Sequence, residues 1–242
     1  MVSPREPRRV LEPVDPLEPL PTQEQTPVPA RRIPWVCGFV MAASVALFLL
    51  QARLAIPVQV SGGGVEEVPR FALFGPWVQA GQYWRLLSCA FEHGGALHIF
   101  FNMSVVYSLG FGLERAIGSA RFLLISVVSA LGASAFSLFF NFHTVMLGAS
   151  GMILGWAGAM LLLVTREGRR SLGVWLAQIA VISLIPGVSW AGHLGGFLFG
   201  LPCGFALKKG PQVFRYAAPV ILFVTAVVAF VSAHPERFGL AR

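Results

Sequence analysis

A chain of 242 residues that is 55% hydrophobic and 12% charged, with a mean hydropathy of +0.70, is not composed like a soluble domain, where about a quarter of residues are charged. The formal net charge of +7 would suit nucleic acid, but the basic residues form short clusters between apolar runs. That pattern excludes nucleic acid as the expected partner and points to a lipid bilayer.

Residues 1–33 are rich in proline and mixed charge, as in Glu12-Pro13-Val14-Asp15-Pro16, and cannot bury a core. They read as a disordered, proline-rich cytoplasmic tail, a solvated linker rather than a partner-binding arm. No apolar stretch of the kind a signal peptide needs lies within them. Seven apolar runs follow, at about 34–56, 96–113, 120–140, 150–165, 172–186, 190–207 and 216–233. A membrane-crossing helix takes about 20 residues, and backbone polar groups in lipid must be paired within helices or closed barrels. No alternating strand pattern recurs, so the expected fold is an all-α polytopic membrane protein with seven helices.

Charge sets the expected orientation. Arg31 and Arg32 precede the first run, Arg115 and Arg121 flank the second gap, Arg166, Arg169 and Arg170 fill the fourth, and Lys208, Lys209 and Arg215 the sixth. The third gap (141–148) and the fifth (186–192) hold no Lys or Arg. The positive-inside pattern therefore places the N-terminus in the cytoplasm and the C-terminus outside. Ser150 and His193 each begin a helix just after an external gap, so both enter from the same face at similar depth.

The first external connection, about 57–95, is long and carries Phe71, Phe74, Trp77, Tyr83, Trp84, Leu86, Leu87 and Phe91. Aromatic residues gather at membrane interfaces, so a structured hairpin lying partly in the outer leaflet is expected. Arg85 would reach phosphate or backbone carbonyls there, as an anchor rather than as chemistry. Cys37, Cys89 and Cys203 are widely spaced with no CxxC pair, so a zinc site, a disulfide framework and any metal or cofactor are not expected. They read as small buried residues.

Polar residues in the apolar runs carry the candidate chemistry. His98 and Asn102 are four apart, about 40° round a helix, and share one face. Such a pair is a functional-site candidate in a membrane, or an interhelical hydrogen bond. His93 and His98, five apart and about 140° round, do not form the two-histidine face of a helical zinc site. The run Gly148-Ala149-Ser150-Gly151 puts a hydroxyl between glycines, which leave backbone N–H groups accessible to an oxyanion. His193 lies on a stripe with Gly196, Gly200 and Gly204, and the fourth run offers a matching small face in Gly151, Gly155, Gly158 and Ala159. Small faces let helices approach closely, close enough here for Ser150 to reach His193. Serine needs a base to act as a nucleophile. No carboxylate lies near His193 in the runs, so the expectation is a Ser-His dyad. The oxyanion donors would be Asn102, His98 and the Ser150 backbone N–H, helped by the positive end of the fourth helix.

These residues resemble the rhomboid intramembrane serine proteases from about residue 34 to 207. The resemblance rests on Trp84-Arg85, on His93, His98 and Asn102, on Gly148-Ala149-Ser150-Gly151, and on Gly192-His193-Leu194-Gly195-Gly196 with Gly200. It implies a six-helix core at 34–207, with 208–242 as linker, seventh transmembrane helix and short external tail: the six-plus-one form. By the same resemblance Ser150 is the nucleophile and His193 the general base and acid. His98 and Asn102 help form the oxyanion hole, His93 is structural near the first loop, and Glu114 packs below the site. The partners implied are transmembrane protein substrates, cleaved near the non-cytoplasmic face of a bacterial inner membrane; none of these motifs specifies an oligomeric state. Gly187, Val188, Ser189 and Trp190 would form a movable cap, with motion of the fifth helix as a gate. The alternative is a non-catalytic relative that binds unstable transmembrane helices; inactive relatives lack the serine or the histidine, and this chain keeps both. A transporter is disfavoured, because no broken-helix repeat or intramembrane carboxylate is evident.

Overall fold

A computed structural model of the chain describes residues 32–59 and 65–240. The expected proline-rich tail, except for its last two residues, lies outside the described residues. Among the described residues the elements run α1 (Trp35–Leu54), β1 (Ile56–Gln59), β2 (Val65–Val68), α2 (Gly75–Gln79), α3 (Arg85–Ser88), α4 (Ala96–Val105), α5 (Phe111–Ile117), α6 (Ser119–Phe140), α7 (Ser150–Leu161), α8 (Arg166–Ile182), α9 (Trp190–Lys209) and α10 (Pro211–Ala233). α4 and α5 form one rod through a π-helical turn at Val106–Gly110. The chain is an all-α polytopic membrane protein, with its long helices in the order expected from the apolar runs.

Among the described residues four helical segments are long and apolar enough to cross a membrane: Ala96–Ile117, Ser119–Phe140, Trp190–Lys209 and Pro211–Ala233. Trp35–Gln51 and Ser150–Leu161 are apolar but shorter. The boundary between the fourth and fifth runs differs from expectation. The fourth run ends at Leu161, not 165, because Thr165 is the N-cap of α8, its side chain accepting from the Gly168 N–H at 3.2 Å. α8 therefore starts within the charged stretch, with Glu167 in its first turn where a helix favours an anion. Phe39, Leu49, Phe100, Phe101 and Phe223 are all more than half exposed, an outer surface suited to lipid and not to water.

The inner core surrounds Trp156 of α7, fully buried with Phe122, Ile125 and Val128 of α6, Cys37 of α1, Val106, and Cys203 of α9. Its indole N–H donates to Ser126 Oγ at 2.9 Å, so the ring's one polar atom is satisfied. All three cysteines are buried and unpaired with one another. Glu114 caps α1. Its carboxylate accepts from the Val36 N–H (2.9 Å), the Cys37 N–H (2.8 Å) and Ser119 Oγ (2.6 Å). Two of the donors that every helix start leaves unpaired are thereby met by a side chain 77 and 78 positions away.

The first loop is built, as expected, around a hairpin, β1 pairing antiparallel with β2 from Ile56↔Val68 to Gln59↔Val65. The rest of it makes a second core: Leu73, Val78, Leu86 and Cys89 pack with Ala135 and Leu138 of α6 and Ala229 and Ala233 of α10. Arg85 reaches backbone carbonyls, one of the two partners expected for it, and does so as an internal strut. It is buried, donates from Nη1 to the Arg70 and Ala72 carbonyls (2.6 and 2.7 Å) and from Nε to Gln82 Oε1 (2.7 Å), and lies over the rings of Trp77 and Trp84. At the far end of the chain, the Tyr83 hydroxyl lies 2.7 Å from Nε2 of the buried His234, tying this loop to the end of α10.

Candidate active site

The segment ahead of α7 is strapped to the first loop by its backbone. Leu73 and Met146 exchange N–H···O bonds of 2.8 and 2.9 Å, Gly75 donates to the Phe142 carbonyl at 3.0 Å, and Gly148 donates to the Cys89 carbonyl at 2.9 Å. Gly148 has φ +118, a conformation that side chains rarely tolerate. A Cβ there would also stand 2.8 Å from both Cε1 and Nε2 of His98. Glycine is thus required twice over, and the His98 ring is brought to the mouth of α7.

Ser150 is the first residue of α7, and the preceding Ala149 supplies no side-chain cap. The backbone N–H groups of the first turn therefore stay available as donors, at the positive end of the helix. His193 is in the first turn of α9, whose N-cap Ser189 accepts from the Gly192 N–H at 3.1 Å. The two small faces meet as their spacing suggests. A Cβ on Gly196 would collide with the Gly151 backbone, one on Gly200 with Gly155, and one on Gly204 with Ala159. This backbone-to-backbone packing brings His193 Nε2 to 2.8 Å from Ser150 Oγ.

The other ring nitrogen, Nδ1, is 2.6 Å from Ser183 Oγ, just past the end of α8. Both imidazole nitrogens are engaged by hydroxyls, so the ring has no free position for a carboxylate. Ser183 was not singled out in the sequence: a lone serine ending an apolar run carries no motif, and its only signal is a hydroxyl on the helix preceding His193.

Across the site, His98 Nδ1 accepts a long bond of 3.4 Å from the Gly94 N–H. Because a backbone N–H can only donate, the ring proton of neutral His98 belongs on Nε2, the atom beside Gly148. Asn102 is nearly buried and gives one amide hydrogen to the His98 carbonyl at 3.0 Å. The face shared by the two residues is therefore a local bond on one helix. His93 is fully buried, its Nδ1 3.2 Å from the Phe91 carbonyl and its ring edge-on to His98 at 5.1 Å. Burial pushes its pKa down to about 4, with His98 adding to the shift and the Phe91 carbonyl opposing it. Among the described residues no group of three or more His, Cys, Asp or Glu side chains comes together as a metal site needs.

A cleft of about 570 Å³ opens beside these residues, lined by Gly94, His98, Val145, Leu147 and Gly187 among others. His98 is thereby open to this cleft, which reaches to Leu147, three residues ahead of Ser150. The cap segment is not uniformly free: Ser189 Oγ lies 3.1 Å from Ser137 Oγ of α6, whereas Gly187 and Trp190 are exposed.

Residues 80–210, more than half the chain, match the Rhomboid domain. The chain belongs to the rhomboid family. It is 32% identical over 221 residues to RHOMBOID-like protein 2 of Arabidopsis thaliana, covering 74% of this chain and 68% of that one. It is 37% identical over 153 residues to RHOMBOID-like protein 5 of the same plant, covering 59% of this chain and 49% of the relative. To the rhomboid protease GluP of Bacillus subtilis (strain 168) it is 31% identical over 193 residues, covering 74% and 38%. The chain thus spans about half or less of the length of several curated relatives it matches. The rhomboid family includes intramembrane serine proteases, and the chain shares its multi-pass, apolar helical construction.

Proposed function

We propose that this chain is an intramembrane serine endopeptidase that cleaves transmembrane protein substrates near the non-cytoplasmic face of the membrane, by a Ser150-His193 dyad through an acyl-enzyme. The observation that carries this reading is the 2.8 Å contact between Ser150 Oγ and His193 Nε2 at the uncapped start of α7.

In the first step Ser150 Oγ attacks the scissile carbonyl carbon while its proton passes to His193 Nε2. The negative charge on the carbonyl oxygen meets donors fixed before the reaction: the Ser150 backbone N–H, His98 Nε2–H and the Asn102 amide. Collapse breaks the C–N bond, and His193 returns the proton to the leaving amine. Water then enters from the cleft, loses a proton to His193 and attacks the ester carbon. Expulsion of Ser150 Oγ, reprotonated by His193, releases the acid. His93, Gly148, Gly151 and Gly196 hold this geometry without touching the reacting atoms.

Charge alternation supports an N-terminus in the cytoplasm and a C-terminus outside; we place the chain in a bacterial inner membrane as part of the same proposal. On this reading 34–207 is the protease core, 1–33 a cytoplasmic tail, and 208–242 the added helix with its flanks. The deciding experiment is labelling of the purified full chain with a fluorophosphonate, beside cleavage of a helix-destabilised transmembrane substrate. Both signals should vanish in Ser150→Ala while the detergent melting temperature holds. Cleavage retained by Ser150→Ala would falsify the assignment, and a wild-type chain that binds such helices without labelling or cleavage would belong to the non-catalytic class.

A further inference from the structure

We infer that Ser183 is a positioning residue that holds His193 in the tautomer bearing its proton on Nδ1, so that Nε2 is free to act as base; the inference rests on the dyad reading above. It follows from counting protons. The Ser183 hydroxyl has one hydrogen and two lone pairs. Its oxygen lies 2.7 Å from the Ile179 carbonyl, which can only accept, so that contact takes the hydrogen. The 2.6 Å contact with His193 Nδ1 must then be an N–H donating to Ser183 Oγ. Neutral imidazole has a single N–H, and the nitrogen left bare is Nε2, the one 2.8 Å from Ser150 Oγ.

The surroundings leave this task to Ser183. The hydroxyl and the imidazole meet on the wall of a cavity of about 360 Å³ that is otherwise aliphatic and aromatic, with Leu176, Ile179, Trp190, Leu194 and Phe197 among its lining residues. A buried N–H facing such a wall without an acceptor is costly, so without Ser183 the ring would favour the opposite tautomer or turn away. When His193 takes the proton from Ser150, the bond from Nδ1–H to Ser183 becomes charge-assisted and stronger. The proton stays on the ring, and the Ser183 hydrogen stays on the Ile179 carbonyl. This is the orienting role a carboxylate fills in a triad, performed by a neutral hydroxyl from a third helix: Ser150 is on α7, His193 on α9, and Ser183 ends α8.

A purely structural serine would bond back to its own helix and do nothing else. Ser183→Ala and Ser183→Thr separate the two roles, measured on the full chain in detergent with Ser150→Ala as the control. Ser183→Ala should lower kcat about 10- to 100-fold, by analogy with the loss of a hydrogen-bond partner that orients a metal-bound histidine, with KM and melting temperature nearly unchanged. Ser183→Thr, which keeps the hydroxyl, should recover most of the loss. Nitrogen NMR of histidine-labelled wild-type protein, assigned with His193→Gln, should show His193 protonated at Nδ1 and bare at Nε2. An unchanged kcat in Ser183→Ala, beside an inactive Ser150→Ala, overturns the inference and leaves the dyad standing. Activity in Ser150→Ala removes the dyad itself. Should Ser183→Ala fail to fold, the wild-type spectrum still decides: a proton on Nε2 of His193 overturns the inference.

Discussion

Gly196 of α9 lies against the backbone of Gly151 of α7 with no room between them for a methyl group. Neither partner is a flexible side chain, so neither can yield. Overpacking a core usually costs about 1–3 kcal/mol, and Gly196→Ala should reach at least the top of that range. The same change would push His193 away from Ser150, so fluorophosphonate labelling should fall with the denaturation midpoint. Gly38→Ala, in open space within α1, serves as the control and should keep full labelling.

His98 faces the mouth of α7 with its Nε2–H available. His98→Ala should reduce kcat by about 10²–10³-fold with little change in KM, the size of effect seen when one oxyanion donor is lost. Steady-state cleavage of a transmembrane substrate measures it. A fall of less than about threefold would remove His98 from the oxyanion site.

Glu114 serves three donors from two parts of the chain, the start of α1 and Ser119. Hydrogen bonds to charged groups contribute about 1.5–3 kcal/mol each, so Glu114→Ala should lower unfolding stability by about 3 kcal/mol or more. Glu114→Gln keeps an acceptor and should lose less. Denaturant titration in detergent gives both values, and equal stability of wild type and Glu114→Ala would refute the capping role.

Acid should weaken the first loop through His93. Its folded pKa of about 4 lies below the ordinary histidine value of about 6.5, so the unfolded chain binds the proton more tightly. The stability tied to neutral His93 is therefore complete above about pH 6.5 and is lost as pH falls toward 4. His93→Gln should show a smaller drop in melting temperature between pH 7 and pH 4.5. Glu92 acts in the opposite sense: burial raises its carboxyl pKa, against a bond from the Phe71 N–H. Its contribution is present at low pH and lost as pH rises through the folded value, so Glu92→Gln should sharpen the acid drop.

The helix order, the meeting of the α7 and α9 small faces and the approach of His193 to Ser150 were legible because each follows from local rules: apolar length, charge alternation and 3.6-residue spacing. What sequence could not supply depends on long-range partners. Ser183 meets His193 only because the end of α8 folds over the start of α9. Glu114 looked like a packing residue until α1 brought two N–H groups to it. The backbone carbonyls that Arg85 reaches were expected by type, but which ones, Arg70 and Ala72, and the rings of Trp77 and Trp84 around the guanidinium, are settled only when the loop closes. The end of α7 was misjudged because Thr165 reads equally well as the end of an apolar run or as the cap of the next helix.

The contact between Tyr83 and His234 has a bearing on where the molecule can be cut. The Rhomboid domain match ends at residue 210, yet α10 lies along α6 and α9, and its last turn grips the first loop. That loop in turn straps down the residues ahead of Ser150 through Leu73, Gly75 and Cys89. α10 is therefore a buttress for the candidate site and not an appendage. Truncation after Lys209 would loosen the floor on which Ser150 stands, although no residue of the dyad would be removed.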